Sequence, residues 1–243
     1  MTWIPTVFKG LVLSVLMAGP AISASVTVAV ASNFLTTSQA LETAFEAETG
    51  HEVTLVHGST GRLYAQIVAG APFDIFLSAD MQRPEALLVG GLAVDTRIYA
   101  VGALVLVARD APEDDPAELL IGQRVALANP ALAPYGAAAM EVIGSYGLTP
   151  DQIQLLMGDN VGQAASIFVT GNADRAFLAA ALLPKLDLGI TVFEMAGRHM
   201  PVRQGAALLD KGAANPVAQA FYDWLAGPTA RAVIEAGGYE VPT

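Results

Sequence analysis

The sequence predicts an α/β protein of two lobes, each a mostly parallel sheet flanked by helices. Three observations lead there. Short apolar runs rich in β-branched residues alternate with segments of helical period. Several of the junctions between them carry small or hydroxylated residues. Two longer strand-like runs, 99–108 and 200–209, are placed to carry the chain between two halves.

The N-terminal stretch 1–24 reads as a secretory signal. Lys9 is its one charge, residues 10–18 are apolar, and Gly19-Pro20 then Ala21, Ser23 and Ala24 follow, which places cleavage near Ala24. The apolar run is far short of the ~20 residues that cross a bilayer. Beyond it, 26–31 is a buried strand, and the period changes after Ser32-Asn33 to a helix ending at Gly50. Residues 53–56 form a second strand, Gly58-Ser59-Thr60-Gly61 opens a helix to Ala69, and 73–77 form a third strand. The second half repeats the alternation: strand 124–127, helix 135–146, strand 154–157, helix 162–169 and strand 175–178. The tail, 216–236, is one amphipathic helix whose Phe221, Tyr222, Trp224 and Leu225 belong to the core. The expected organisation is a leader (1–24), a first lobe from 25–104 with 206–243, and a second lobe from 105–205.

Composition removes several classes of function. The chain of 243 residues has no Cys, which excludes disulfides, thiol nucleophiles and Cys-based metal sites. A net charge of −11 argues against nucleic acid as a partner, since phosphates call for clustered Lys and Arg. His51, His57 and His199 are the only histidines and show no His-x-x-x-His spacing for a bare cation. His57-Gly58-Ser59-Thr60-Gly61 superficially matches a nucleophile elbow, but that pattern needs Gly where His57 stands, so a secreted hydrolase is the weaker alternative.

Four junctions remain as candidate chemistry: Ala31-Ser32-Asn33, Gly58-Ser59-Thr60-Gly61, Ala133-Pro134-Tyr135-Gly136 and Asn160-Val161-Gly162. The first amides of a helix lack intrahelical partners and carry about half a positive charge, so helix beginnings take anions without Lys or Arg. Hydroxyls of Ser32, Ser59 and Thr60 and the amide of Asn33 add donors. One such junction is ordinarily a helix cap. Four at strand-to-helix edges in two lobes point to a ligand between them. Asp159 and Arg62 border these turns and read as solvated residues.

These segments resemble the molybdate-binding component of bacterial ABC importers. The likeness rests on Ala29-Val30-Ala31-Ser32-Asn33-Phe34, on Gly58-Ser59-Thr60-Gly61-Arg62-Leu63-Tyr64-Ala65-Gln66-Ile67, and above all on Gly70-Ala71-Pro72-Phe73-Asp74-Ile75-Phe76-Leu77-Ser78-Ala79-Asp80. It continues through Asn129-Pro130, Ala133-Pro134-Tyr135-Gly136, Asn160-Val161-Gly162-Gln163-Ala164 and Phe221-Tyr222-Asp223-Trp224-Leu225-Ala226-Gly227-Pro228. The resemblance implies a periplasmic binding-protein fold of the type with two crossing strands. It implies a molybdate ligand, with tungstate as a second and sulfate as an alternative oxyanion, held by Ser32, Asn33, Ser59, Tyr135 and Val161, with Thr60 secondary. Tyr135 and Val161 would act through backbone N–H. It further implies no cofactor, no catalysis, a monomer in the periplasm, and an ABC permease as partner. Some relatives place a Tyr hydroxyl from a late strand on the anion, where this chain has Phe177-Leu178-Ala179-Ala180.

Overall fold

The computed structural model describes residues 24–109, 111, 115–186 and 189–242. The expected leader lies outside them, apart from Ala24. β1 (Ser25–Ala31) runs through a 3-10 turn (Ser32–Phe34) into α1 (Leu35–Thr49), and β2 (Glu52–Gly58), α2 (Thr60–Val68), β3 (Ile75–Leu77), α3 (Gln82–Val89) and β4 (Ala93–Gly102) follow. Next come β5 (Leu104–Arg109), β6 (Arg124–Ala128), α4 (Pro134–Ser145), β7 (Gln154–Gly158), α5 (Val161–Val169), β8 (Arg175–Ala179), a 3-10 segment (Ala180–Lys185) and β9 (Ile190–Glu194). β10 (Val202–Leu209), α6 (Asp210–Ala213), α7 (Pro216–Trp224) and α8 (Pro228–Ala236) complete the chain.

The strands form two five-stranded sheets, ordered β2-β1-β3-β10-β4 and β7-β6-β8-β5-β9. Each is mixed, where the sequence led to an expectation of mostly parallel sheets. Three strands of each sheet pair parallel, and the other two join antiparallel: β10 and β4 in the first, β5 and β9 in the second. The reason lies in the connections. Parallel neighbours come from strand–helix–strand units, whereas the remaining strands adjoin the passages between sheets and need no helical crossover.

The long run 99–108 is two strands broken at Ala103, one in each sheet. The second passage precedes β10. Val202–Gly205, expected in the second lobe, pair with β4 in the first sheet, and the chain changes sheets over 195–201. The tail is likewise two helices, since Gly227-Pro228 interrupts it: Pro228 has no N–H to continue the ladder and starts α8 at its first turn. α3 and β9 were not foreseen; both are short and weakly patterned.

Burial follows the periods of the sequence. Along β1, Val26, Val28 and Val30 face one apolar cluster with Phe34, Phe45 and Phe221, while Ala29 faces another with Leu63, Ile67 and Phe76. Phe45 stands edge-on to Phe221 and Trp224, with centroids 5.0 and 5.4 Å apart, which docks α7 on the first lobe. α1 ends where Gly50 turns left-handed at φ 72°, its N–H donating to the Glu46 carbonyl at 2.9 Å. Within the block 70–80, the Asp74 carboxylate accepts from Thr27 N–H at 2.7 Å and so has a scaffold role.

The start of α4 is pressed against the end of β6. A Cβ on Gly136 would overlap the Ala128 carbonyl oxygen and lie 2.7 Å from its carbon. Gly136→Ala should therefore destabilise the protein by about 1–3 kcal/mol. Thermal melts of the two forms check this, and equal midpoints would show that α4 is free to shift.

Candidate functional site

Strand register decides where the helices begin. In the first sheet Ala31 lies opposite Gly58, so the turns carrying Ser32, Asn33, Ser59 and Thr60 share one edge. In the second, Ala128 lies opposite Gly158, and Asn129 N–H donates to the Gly158 carbonyl at 2.7 Å, which sets the start of α4 beside that of α5. The two edges then meet. Gly61 N–H donates to Leu132 O at 2.8 Å, and Arg83 Nη2 reaches Ala131 O at 3.3 Å. Ala31 and Ala79 of the first lobe share an apolar cluster with Ala133, Tyr135 and Val161 of the second. All four sequence-predicted turns are thus gathered where the lobes touch.

Each candidate has its own environment. Ser59 is 2% exposed, and its Oγ has no hydrogen-bond partner among the described residues, although it stands at the N-cap of α2 where it would ordinarily bind a backbone N–H. A buried orphan hydroxyl costs about 1–3 kcal/mol. Thr60 Oγ1 accepts from Ala79 N–H at 3.3 Å, which leaves its own proton to donate. Ser32 is half-buried. Val161 is the first residue of α5, capped by Asn160, whose side chain accepts from Gln163 N–H at 3.0 Å. Tyr135 lies in the first turn of α4 behind Pro134. Both Tyr135 and Val161 are buried, and at those positions their N–H groups precede the intrahelical ladder.

Two expectations need correction. The Asn33 side-chain amide is engaged internally: its Nδ2 donates to Gln204 Oε1 at 2.9 Å and to Tyr239 Oη at 3.2 Å. Only its backbone N–H remains as a donor. Arg62 and Asp159, expected as separate solvated residues, form an ion pair between the lobes at 2.7 Å. Their side chains are 59% and 36% exposed, so the pair is worth at most about 1 kcal/mol. It does pair the two charges that border the second and fourth turns.

Behind the turns lies a polar cluster that sequence reading missed. Gln204, fully buried in β10, accepts from Asn33 and, at 3.1 Å, from Tyr99 Oη, and Tyr239 Oη donates to Asn33 O at 2.7 Å. The available signal was a lone amide side chain in the apolar run ending Ala206-Ala207-Leu208-Leu209. Burial, the largest cause, raises the hydroxyl pKa of Tyr99, Tyr135 and Tyr239. Neighbouring tyrosines add to the rise for Tyr99 and Tyr135.

Grooves of about 400 and 480 Å³ flank this contact, one bordered by Arg83, Pro134 and Glu141, the other by Gly102, Glu194 and Tyr239. Neither reaches Ser32, Ser59 or Val161. Among the described residues, no three His, Asp or Glu side chains group as a metal site, and no helix is long and apolar enough to cross a membrane.

The family profile described as bacterial extracellular solute-binding protein matches residues 26–240. A molybdate-binding protein of Azotobacter vinelandii is 42% identical over 234 residues, spanning 92% of this chain and 93% of that one. One from Rhodobacter capsulatus is 38% identical, over 92% and 91% of the two chains. The solved structure of an Azotobacter vinelandii periplasmic molybdate-binding protein superposes with a TM-score of 0.81 at 36% identity, covering 90% of this chain and all of that one.

The tyrosine cluster yields a stability prediction. Raised folded-state pKa values mean that the native protein holds these protons more tightly than the unfolded chain does. The associated stability is intact below the ordinary tyrosine value of about 10 and is lost as the pH climbs past it. Denaturant titrations from neutral to strongly alkaline pH should show unfolding free energy falling steeply there. A flat profile would contradict the burial of the hydroxyls.

Proposed function

The chain belongs to the molybdate-binding family of bacterial extracellular solute-binding proteins, and on that premise we propose that it captures one tetrahedral oxyanion between its lobes. The cargo is molybdate, with tungstate accepted on the same charge and shape, and the receiver is an ABC permease. The receptor works as a monomer in the periplasm, released there by its leader. The observation that carries the reading is the buried Ser59 hydroxyl, without a hydrogen-bond partner among the described residues, at the meeting of four helix beginnings.

A dianion entering a closed space loses its water, so aligned N–H and O–H groups must replace it. Ser32 and Ser59 supply hydroxyls, and Thr60 is a secondary donor. Asn33, Tyr135 and Val161 supply backbone N–H groups at helix starts, where the local dipoles favour negative charge. The nearby cations are already matched, Arg62 with Asp159 and Arg83 with Asp80. Binding therefore rests on neutral donors, strong enough to hold a dianion and without a fixed countercharge that would resist release. Fully ionised molybdate only accepts hydrogen bonds, which suits a site of donors. Hydrogen phosphate must also donate one, and Asp159, the carboxylate that borders the fourth turn, is occupied by Arg62. The relatives matched are binding proteins, which supports reading the Ser59 hydroxyl as a hydrogen-bond donor rather than a nucleophile.

Ser59→Ala gives opposite signs in two measurements. Molybdate affinity should fall by about 1–3 kcal/mol in titration calorimetry, since a charge-assisted donor is gone. The ligand-free protein should melt at the same temperature or higher, because a buried orphan group is removed. Unchanged affinity would take Ser59 out of the site.

A thermal-shift panel tests the choice of ligand. Molybdate and tungstate should raise the melting midpoint by mass action, and sulfate and phosphate should do so less at equal concentration. A response to phosphate alone would overturn the assignment.

A further inference from the structure

We propose that Gln204 and the hydroxyl of Tyr135 are positioning groups for anion capture, docking the second lobe onto the first beside the guest; the inference rests on the receptor reading above. Gln204 is fully buried in a strand that is otherwise apolar from Gly205 to Leu209. Such an amide is costly inside a protein unless its donor and acceptor atoms are used. Its Oε1 accepts from Asn33 Nδ2 at 2.9 Å and from Tyr99 Oη at 3.1 Å, and its Nε2 faces Tyr135 Oη at 3.4 Å. Asn33 belongs to the first turn of the proposed site and Tyr135 to the third. One side chain therefore touches both halves of the site, and Tyr135 is the partner that comes from the second lobe.

The local backbone is built for this contact. β10 pairs Gln204 with Ala100 and Gly205 with Ile98, which leaves Tyr99 as the extra residue of a bulge in β4. A bulge re-aims a side chain next to a site, and here it directs the Tyr99 hydroxyl at Gln204. Gly102, the last residue of β4 before the chain passes to the second sheet, forms the slot. A Cβ there would overlap Tyr135 Oη and come within 2.8 Å of Gln204 Nε2. Separating the lobes would withdraw Tyr135 from this slot, so the contact favours the closed form alone and shifts the population toward it. The cluster is uncharged, and it adds no field against a dianion.

The proposal separates two roles of one residue, since Tyr135→Phe keeps the backbone N–H and removes only the hydroxyl. Sodium molybdate is titrated calorimetrically into the mature wild-type chain, Tyr135→Phe, Gly102→Ala and the double variant, with dissociation followed by stopped flow. Tyr135→Phe should weaken binding about three- to tenfold, mainly through faster dissociation. Gly102→Ala should weaken it further, and the double variant should bind no worse than Gly102→Ala, because the overlap with the hydroxyl is gone. Wild-type affinity in Tyr135→Phe, with or without a lowered melting midpoint, overturns the proposal, as do losses that multiply in the double variant. If Gly102→Ala does not fold, Tyr135→Phe alone decides. A wild-type chain that takes up no molybdate sinks the receptor reading instead.

Discussion

Unpaired backbone N–H groups at helix beginnings are the constraint around which this molecule is organised. A parallel strand followed by a tight turn into a helix leaves those groups at one edge of a sheet. The register of β1 with β2 and of β6 with β7 sets two such edges, and the cross-lobe bonds at Gly61, Arg62 and Arg83 press them together. Water is largely excluded there, as the burial of Ser59, Thr60, Tyr135 and Val161 shows. Donors that cannot reach solvent need an acceptor, and an oxyanion is the guest that offers nothing else.

Glycine and small residues make that convergence sterically feasible. Gly136 lets α4 start in contact with the Ala128 carbonyl, and Gly102 admits the Tyr135 side chain between the lobes. Ala31, Ala79 and Ala133 let backbones from opposite lobes approach within one apolar cluster. Larger residues at these places would hold the edges apart, and the same turns would be ordinary caps on two separate surfaces.

Much of this was legible in the sequence, because periodicity and turn chemistry are local. The strands at 26–31, 124–127 and 154–157 and the helices after Ser32, Gly58, Pro134 and Asn160 all appear close to where the patterns put them. What could not be read depends on partners remote in the chain. Asn33 looked like a free donor because its acceptors, Gln204 and Tyr239, lie 171 and 206 residues away. Arg62 and Asp159 looked solvated for the same reason. The antiparallel strands were misjudged because strand direction is a property of the connection rather than of residue pattern. The split tail is different: Gly227-Pro228 was visible and was outweighed by the amphipathic stripe.

The repeated strand order has a consequence of its own. With β6 standing where β1 does and β7 where β2 does, the turn after each central strand and the turn after its outer neighbour recur in both lobes. The central strands thus occupy equivalent places in both sheets, and each half brings two turns to the meeting point. A tetrahedron possesses two-fold axes that divide its vertices into equal pairs. A four-oxygen guest held there can offer one such pair to the two turns of each half, so the architecture counts vertices before any particular hydroxyl refines the fit.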